Sequence, residues 1–179
     1  MTELKIGGTV VHVVHGDITD LEVEAFVFDA RPDLVLGSGY GGAITQRGGP
    51  AIQEELKKLA PLKVGEAIAS GAGNLKAKAI IHAVGPKFQE ADTERKLRAA
   101  TVSALKVAEE RGLTQVALPP MGTGLYGVPL DLCARVMLDV VSEHARNGAR
   151  LKDVTFCALD SREAAPFEAR LATLAKGLP

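Results

Sequence analysis

Three glycines stand within six residues at Gly122-Thr-Gly-Leu-Tyr-Gly127, after a short apolar run, Val116 to Leu118, and the break at Pro119-Pro120. Proline cannot continue a central strand, so the run ends there. Glycine permits positive φ and lets the backbone come close to a ligand. The amides of such a turn, and of the helix that begins after Pro129, have no intrachain acceptor. A strand emptying into this kind of turn is a place to hold an anion such as phosphate. Thr123 and Tyr126 add hydroxyls. The same residues would also serve a tight strand-to-helix connection, and a glycine string by itself does not separate the two. Gly37-Ser-Gly-Tyr-Gly-Gly42 repeats the arrangement after an earlier apolar run, Val23 to Phe28. Two such loops in one α/β chain point to a ligand with more than one anionic or polyol part, seated beyond the carboxyl ends of the strands. Asp17 follows the run Thr9–His15 and falls on the same rim. Its carboxylate can accept from an exocyclic amine such as that of adenine, or cap the turn Gly16-Asp-Ile-Thr19. Both readings stand on the sequence.

The elements that must position these residues follow from periodicity. Strands are expected over Thr9–His15, Val23–Phe28, within Val64–Gly73, and over Ala79–Val84, Val116–Leu118 and Val154–Leu159. Helices are expected from about Gly42 to Leu56 with an interruption at Gly48-Gly49-Pro50, then over Thr93–Arg111 with Gly112 as its stop, Leu130–His144 and Glu163–Ala175. Strands alternating with helices make an α/β fold with a mostly parallel or mixed sheet and helices on both faces. His12 and His15 fall on opposite strand faces and have no ligand partner at metal spacing. His82, inside an apolar run, reads as a satisfied core histidine.

Length and charge bound the rest. The 179 residues suit one domain, 1–179, with a three-layer core, and a net charge of −1 exerts no general pull on nucleic acid or anionic membrane. No apolar run reaches the roughly 18 residues a membrane span needs, and Met-Thr-Glu-Leu-Lys-Ile has no signal-peptide core. Cys133 and Cys157 show no metal spacing and read as two buried thiols in a reducing cytoplasm. Neither a metal nor a cofactor is expected, and the expected location is cytoplasmic.

Gly16-Asp-Ile-Thr19, Ala25-Phe-Val27, Gly37-Ser-Gly-Tyr-Gly-Gly-Ala-Ile44, Ile81-His-Ala-Val-Gly-Pro86 and Leu118-Pro-Pro-Met-Gly-Thr-Gly-Leu-Tyr-Gly-Val-Pro129 occur in an order and spacing that resembles macrodomains, which are ADP-ribose-binding modules. The resemblance runs from about residue 9 to about residue 175. Gly48-Gly-Pro-Ala-Ile-Gln-Glu-Glu55 and Gly71-Ala-Gly-Asn-Leu75 are most similar to the small bacterial and histone-associated members. The resemblance implies a three-layer α/β/α sandwich with a mixed central sheet. It implies that Asp17 binds the adenine amino group with the Ile18 backbone beside it. Gly37, Ser38, Gly39, Tyr40 and Gly41 would clasp the diphosphate with Gly122, Thr123, Gly124, Leu125 and Tyr126. Leu159 and Asp160 would lie near the adenine.

The departures bear on chemistry. Where the family often carries Asn-Ala-Ala-Asn, this chain has Phe28-Asp29-Ala30-Arg31, and Gly41 stands where hydrolytic members commonly place an aspartate. The usual parts for orienting a water are absent, and each lost contact costs about 1–2 kcal/mol of affinity. Arg31 can pair with Asp29 or Asp33, reach a terminal phosphate, or remain a solvated loop charge. The expectation is therefore a binder of ADP-ribose or a derivative with little or no hydrolysis, its partner an ADP-ribosylated protein or metabolite. The alternative is an ADP-ribosyl hydrolase acting on ADP-ribosylated groups, O-acetyl-ADP-ribose or ADP-ribose phosphate. It would use Asp29, Tyr40 or Tyr126. A dehydrogenase of the Rossmann type is disfavoured because its glycine fingerprint follows the first strand, whereas Gly122-x-Gly-x-x-Gly127 follows a late one.

Overall fold

The computed structural model describes residues 2–87 and 90–178. Seven strands form one sheet: β1 (Glu3–Ile6), β2 (Thr9–His15), β3 (Ala25–Asp29), β4 (Ala67–Gly71), β5 (Ala79–Ala83), β6 (Gln115–Leu118) and β7 (Asp153–Ala158). Their order is β1-β2-β7-β6-β3-β5-β4. The five central strands pair in parallel, and β1 and β4 are antiparallel edges. The central strands read as near-continuous apolar runs because both faces are covered.

Side chains alternate across β3, so Ala25 and Val27 enter one core while Phe26 enters the other. The first core lies under α3 (Thr93–Glu110), α4 (Leu130–Arg146) and α5 (Ser161–Lys176), where Phe156 of β7 meets Phe167 of α5 at 5.0 Å between ring centres. The second lies under α1 (Tyr40–Gly48) and α2 (Ala51–Leu59), with Ile44, Ile52 and Leu56 facing Phe26 and Ile80. The result is the expected α/β/α sandwich on a mixed sheet. All five parallel strands discharge at one rim, and that rim carries both glycine loops.

Three local features differ from the sequence reading. β1 was not expected: it is only four residues long and mostly exposed, so its alternation is too brief to register. The interrupted helix is two helices, because Gly49 takes φ +91° and Pro50 starts the second. His82 is satisfied at one nitrogen only. The Ser70 hydroxyl donates to the Gly71 carbonyl at 2.9 Å. Its one hydrogen is thereby used, so the contact of 2.8 Å to His82 Nε2 must be donated by the ring. Nδ1 is left buried and without a partner among the described residues.

Burial holds the imidazole neutral, its pKa pushed down from 6.5 to about 4. A histidine depressed in the folded state stabilises fully above its unfolded pKa, and that contribution is lost as pH falls toward the folded one. The loss should reach about 3 kcal/mol between pH 6.5 and 4. Thermal melts across that window should show a steeper acid decline in the wild type than in His82→Phe. Parallel declines would remove His82 as the cause.

Candidate functional site

A cavity of about 520 Å³ opens at the carboxyl rim of β2, β7, β6 and β3. It is lined by the loop from Leu36 to Tyr40 that leads into α1 and by Pro119-Pro120 with Thr123, Gly124 and Tyr126. Gly37 and Gly39 take φ +69° and +60°, and Gly124 takes φ +70°. A Cβ built on any of these three meets nothing within 4 Å, so the glycines leave the backbone bare toward open space. The amides of Gly37 through Gly41 have no backbone or side-chain acceptor among the described residues, and neither do those of Thr123, Gly124 and Tyr126. The Gly37–Tyr40 amides and those of Thr123, Gly124 and Tyr126 thus border one cavity, which suits an extended anion.

Gly122 and Gly41 belong to the loops but stand behind the wall. A Cβ on Gly122 would meet Val128 Cγ2 at 2.6 Å, and one on Gly41 would meet the Leu36 carbonyl oxygen at 1.7 Å. Leu125 lies in the 3-10 turn Gly124–Tyr126, and its side chain falls outside the described residues.

The end of the cavity at β3 and β5 is polar. Asp29 ends β3, and its Oδ2 accepts from the Gly122 amide at 2.8 Å, so this carboxylate pins the second glycine loop. Its Oδ1 is buried without a hydrogen-bond partner among the described residues, with Lys87 Nζ at 3.7 Å. Burial raises the Asp29 pKa, against the opposing pull of Lys87 and the Gly122 and Gly85 amides. Lys87 also donates to the Ala30 carbonyl at 2.7 Å and lies 4.5 Å from the centre of the Tyr126 ring. Arg31 lines the cavity and pairs with Asp33 at 2.7 Å. Phe28 packs its ring edge-on to His82 and offers no polar atom.

The end at β2 and β7 is largely apolar, walled by Ile18, Cys157 and the Tyr40 ring, with Glu163 of α5 beside them. Burial pushes the Tyr40 phenol up to about 12, helped by the charges of Asp17, Cys157 and Glu163, so it remains a donor at neutral pH and is no base. Burial likewise pushes the Cys157 thiol up to about 11, so it is not a ready nucleophile. Asp17 caps the 3-10 turn Ile18–Asp20: Oδ1 accepts from the Thr19 amide at 2.9 Å and its hydroxyl at 2.6 Å. Oδ2 takes Arg47 at 2.7 Å. Burial works to raise its pKa, but the Thr19 and Arg47 hydrogen bonds outweigh it and hold the carboxyl low. The Asp17 side chain does not line the cavity, and neither do Leu159 and Asp160. Asp160 caps α5 by accepting from the Glu163 amide at 3.0 Å, and Leu159 is exposed.

Of the residues singled out in the sequence, the fold brings Ile18, Gly37, Ser38, Gly39, Tyr40, Thr123, Gly124, Tyr126 and Asp29 to one cavity. Sequence reasoning missed Lys87 and Glu163. Lys87 had a faint signal in its place just after Gly85-Pro86 on the same rim. Glu163 had one in the spacing Asp160-x-x-Glu163, which announces a helix start but no ligand.

A three-layer sandwich with an amide-lined cleft at the strand ends defines a class of α/β ligand-binding modules. The family model described as Macro domain matches residues 30–137. A macro domain-containing protein of Caldanaerobacter subterraneus subsp. tengcongensis is 41% identical over 159 residues, covering 86% of this chain and 90% of that one. The O-acetyl-ADP-ribose deacetylase of Escherichia coli is 35% identical over 166 residues, covering 89% and 94%. Among solved structures, the Trypanosoma brucei macrodomain in complex with ADP-ribose superposes with a TM-score of 0.84 at 26% identity, over 90% of this chain and 68% of that one. The Oceanobacillus iheyensis macrodomain with ADP superposes with a TM-score of 0.93 at 24% identity, over 99% and 97%, a likeness of fold. The chain belongs to the macro domain family. No helix among the described residues is long and apolar enough to cross a membrane.

Proposed function

We propose that this protein binds ADP-ribose, free or attached to a protein or metabolite, and hydrolyses it little or not at all. The observation that carries the reading is the two sets of amides without an acceptor among the described residues, those of Gly37 to Tyr40 and those of Thr123, Gly124 and Tyr126, all lining one cavity. A diphosphate between them would accept from both. The base would take the apolar end at Ile18, Tyr40 and Cys157, and the distal ribose the polar end at Asp29 and Arg31. The Trypanosoma brucei neighbour in complex with ADP-ribose supports the ligand class. Calorimetry should find ADP-ribose bound more tightly than AMP, which has one phosphate and no second ribose. No binding of ADP-ribose at millimolar concentration would sink the proposal.

A second reading, an ADP-ribosyl hydrolase, draws on Asp29. It is a carboxylate on the cavity wall whose buried Oδ1 lacks a hydrogen-bond partner among the described residues, and relatives such as the Escherichia coli protein are named deacetylases. Two features weigh against it. Asp29 is already spent on the Gly122 amide and faces Lys87, and position 41 has no room for an acid.

A further inference from the structure

The second glycine loop is held from behind at both of its ends. β6, β3 and β5 are neighbours in the sheet, and the segments that leave their carboxyl ends carry Gly122 with Tyr126, Asp29 with Ala30, and Lys87. Asp29 Oδ2 takes the Gly122 amide at 2.8 Å and so fixes the start of the loop. At the other end the Tyr126 ring, part of the cavity wall, meets the Lys87 ammonium at 4.5 Å from its centre. Lys87 is itself fixed. It donates to the Ala30 carbonyl at 2.7 Å and lies 3.7 Å from Asp29 Oδ1, and its side chain is only 15% exposed. A cation stripped of most of its water gains more from an aromatic face than a solvated one does. Lys87 does not line the cavity, so it acts on a ligand through the ring that it holds.

Resting on the proposal that the cavity takes ADP-ribose with its distal ribose at the polar end, we infer that Lys87 is the positioning residue for that end. Its ammonium holds the Tyr126 ring against the part of the ligand beyond the diphosphate. Asp29 balances the charge and pins the start of the loop. The turn that presents the amides is closed by its own bonds, from the Val128 amide to the Gly122 carbonyl at 2.9 Å and from the Gly127 amide to the Gly124 carbonyl at 3.1 Å. Loss of Lys87 therefore frees the ring and leaves the turn. ADP ends at the diphosphate, so it reports on the turn without the ring.

The test compares ADP-ribose with ADP by calorimetry on the full chain, and the readout is the ratio of the two affinities. Lys87→Met keeps the stem and removes the charge. It should lower the ratio by about three- to tenfold, the worth of one shielded cation–π contact. Lys87→Arg returns a cation to the ring and should recover most of the ratio. In a Tyr126→Leu background, Lys87→Met should change the ratio no further. Lys87→Met alone leaves the Asp29 carboxylate buried without its cation, which costs stability. Asp29→Asn combined with Lys87→Met removes both charges and keeps an oxygen for the Gly122 amide. That pair should melt cooperatively and show the same fall, with Asp29→Asn alone separating the share of Asp29. Equal weakening of ADP-ribose and ADP, in Lys87→Met and in the charge-balanced pair, would make Lys87 a structural prop and overturn the inference. A fall in the ratio that persists in Tyr126→Leu would overturn it too, since the ring would not be the route. Failure of the wild type to bind ADP-ribose at all would instead strike the parent proposal, and this inference with it.

Discussion

Gly124→Val should abolish ADP-ribose binding and leave a cooperatively folded protein. Gly124 has φ +70° and nothing within 4 Å of where a Cβ would be. No atom of the fold resists the new side chain, so the folding cost is that of a left-handed backbone alone, about 1–2 kcal/mol. For a chain of this size that lowers the melting temperature by about 2–8 °C. The ligand meets a different situation. The open space beside Gly124 belongs to the cavity, and an isopropyl group there would stand between the phosphates and the amides of Thr123 and Gly124. Losing two charge-assisted bonds at about 1.5–3 kcal/mol each removes more than a hundredfold of affinity.

Gly122 supplies the contrast within the same loop. A valine there would meet Val128 Cγ2 at 2.6 Å and should damage folding as well as binding. Calorimetry and thermal melts on the two variants separate the roles. Binding by Gly124→Val at wild-type strength would reduce the loop to a connection.

How far the sequence reached depends on whether a feature is local. The glycine loops, the parallel strands and the helix starts are written in contiguous residues, and each emerged near its expected place. Asp17 was legible as a turn cap because its partner Thr19 is two residues away. Its second oxygen was not legible, since Arg47 lies on another helix. Lys87 reaches Asp29 across the sheet and donates to a carbonyl 57 positions away in sequence. Nothing in a linear pattern encodes that contact. Gln53 is a further instance. From α2 it accepts from the Leu36 amide at 2.9 Å and donates to the Leu34 carbonyl at 3.1 Å, holding a turn in which Leu34 takes φ +58°. A leucine in that conformation costs about 1–2 kcal/mol, and the side-chain amide of Gln53 offsets it from 17 to 19 residues away. In the sequence, Gly41 registered as part of a clasping loop and as a missing acid. The structure adds that the place for that acid is filled by backbone.

That filling sets the second large effect. Restoring the family acid by Gly41→Asp should neither create hydrolysis nor leave the fold intact. The Cβ of the aspartate would start 1.7 Å from the Leu36 carbonyl oxygen. Gln53 grips the backbone just ahead of that carbonyl, at the Leu36 amide and the Leu34 carbonyl, so the segment cannot step aside without straining two hydrogen bonds. A clash against held backbone costs about 3 kcal/mol or more, which lowers the melting temperature by roughly 6–12 °C. The wild type, for its part, should turn over an ADP-ribosylated glutamate peptide and O-acetyl-ADP-ribose at background rate. A water near the distal ribose must be oriented and relieved of a proton. Phe28 has no polar atom for it, Arg31 remains protonated, and the Asp29 carboxylate is shared between the Gly122 amide and Lys87. Two results would reverse this. Clear wild-type turnover that Asp29→Ala removes while ADP-ribose binding survives would make Asp29 the acid of an active hydrolase. A Gly41→Asp variant that melts like the wild type and gains turnover would show that the Leu34–Leu36 turn yields, and that the acid was lost by substitution alone and not by the build of the loop.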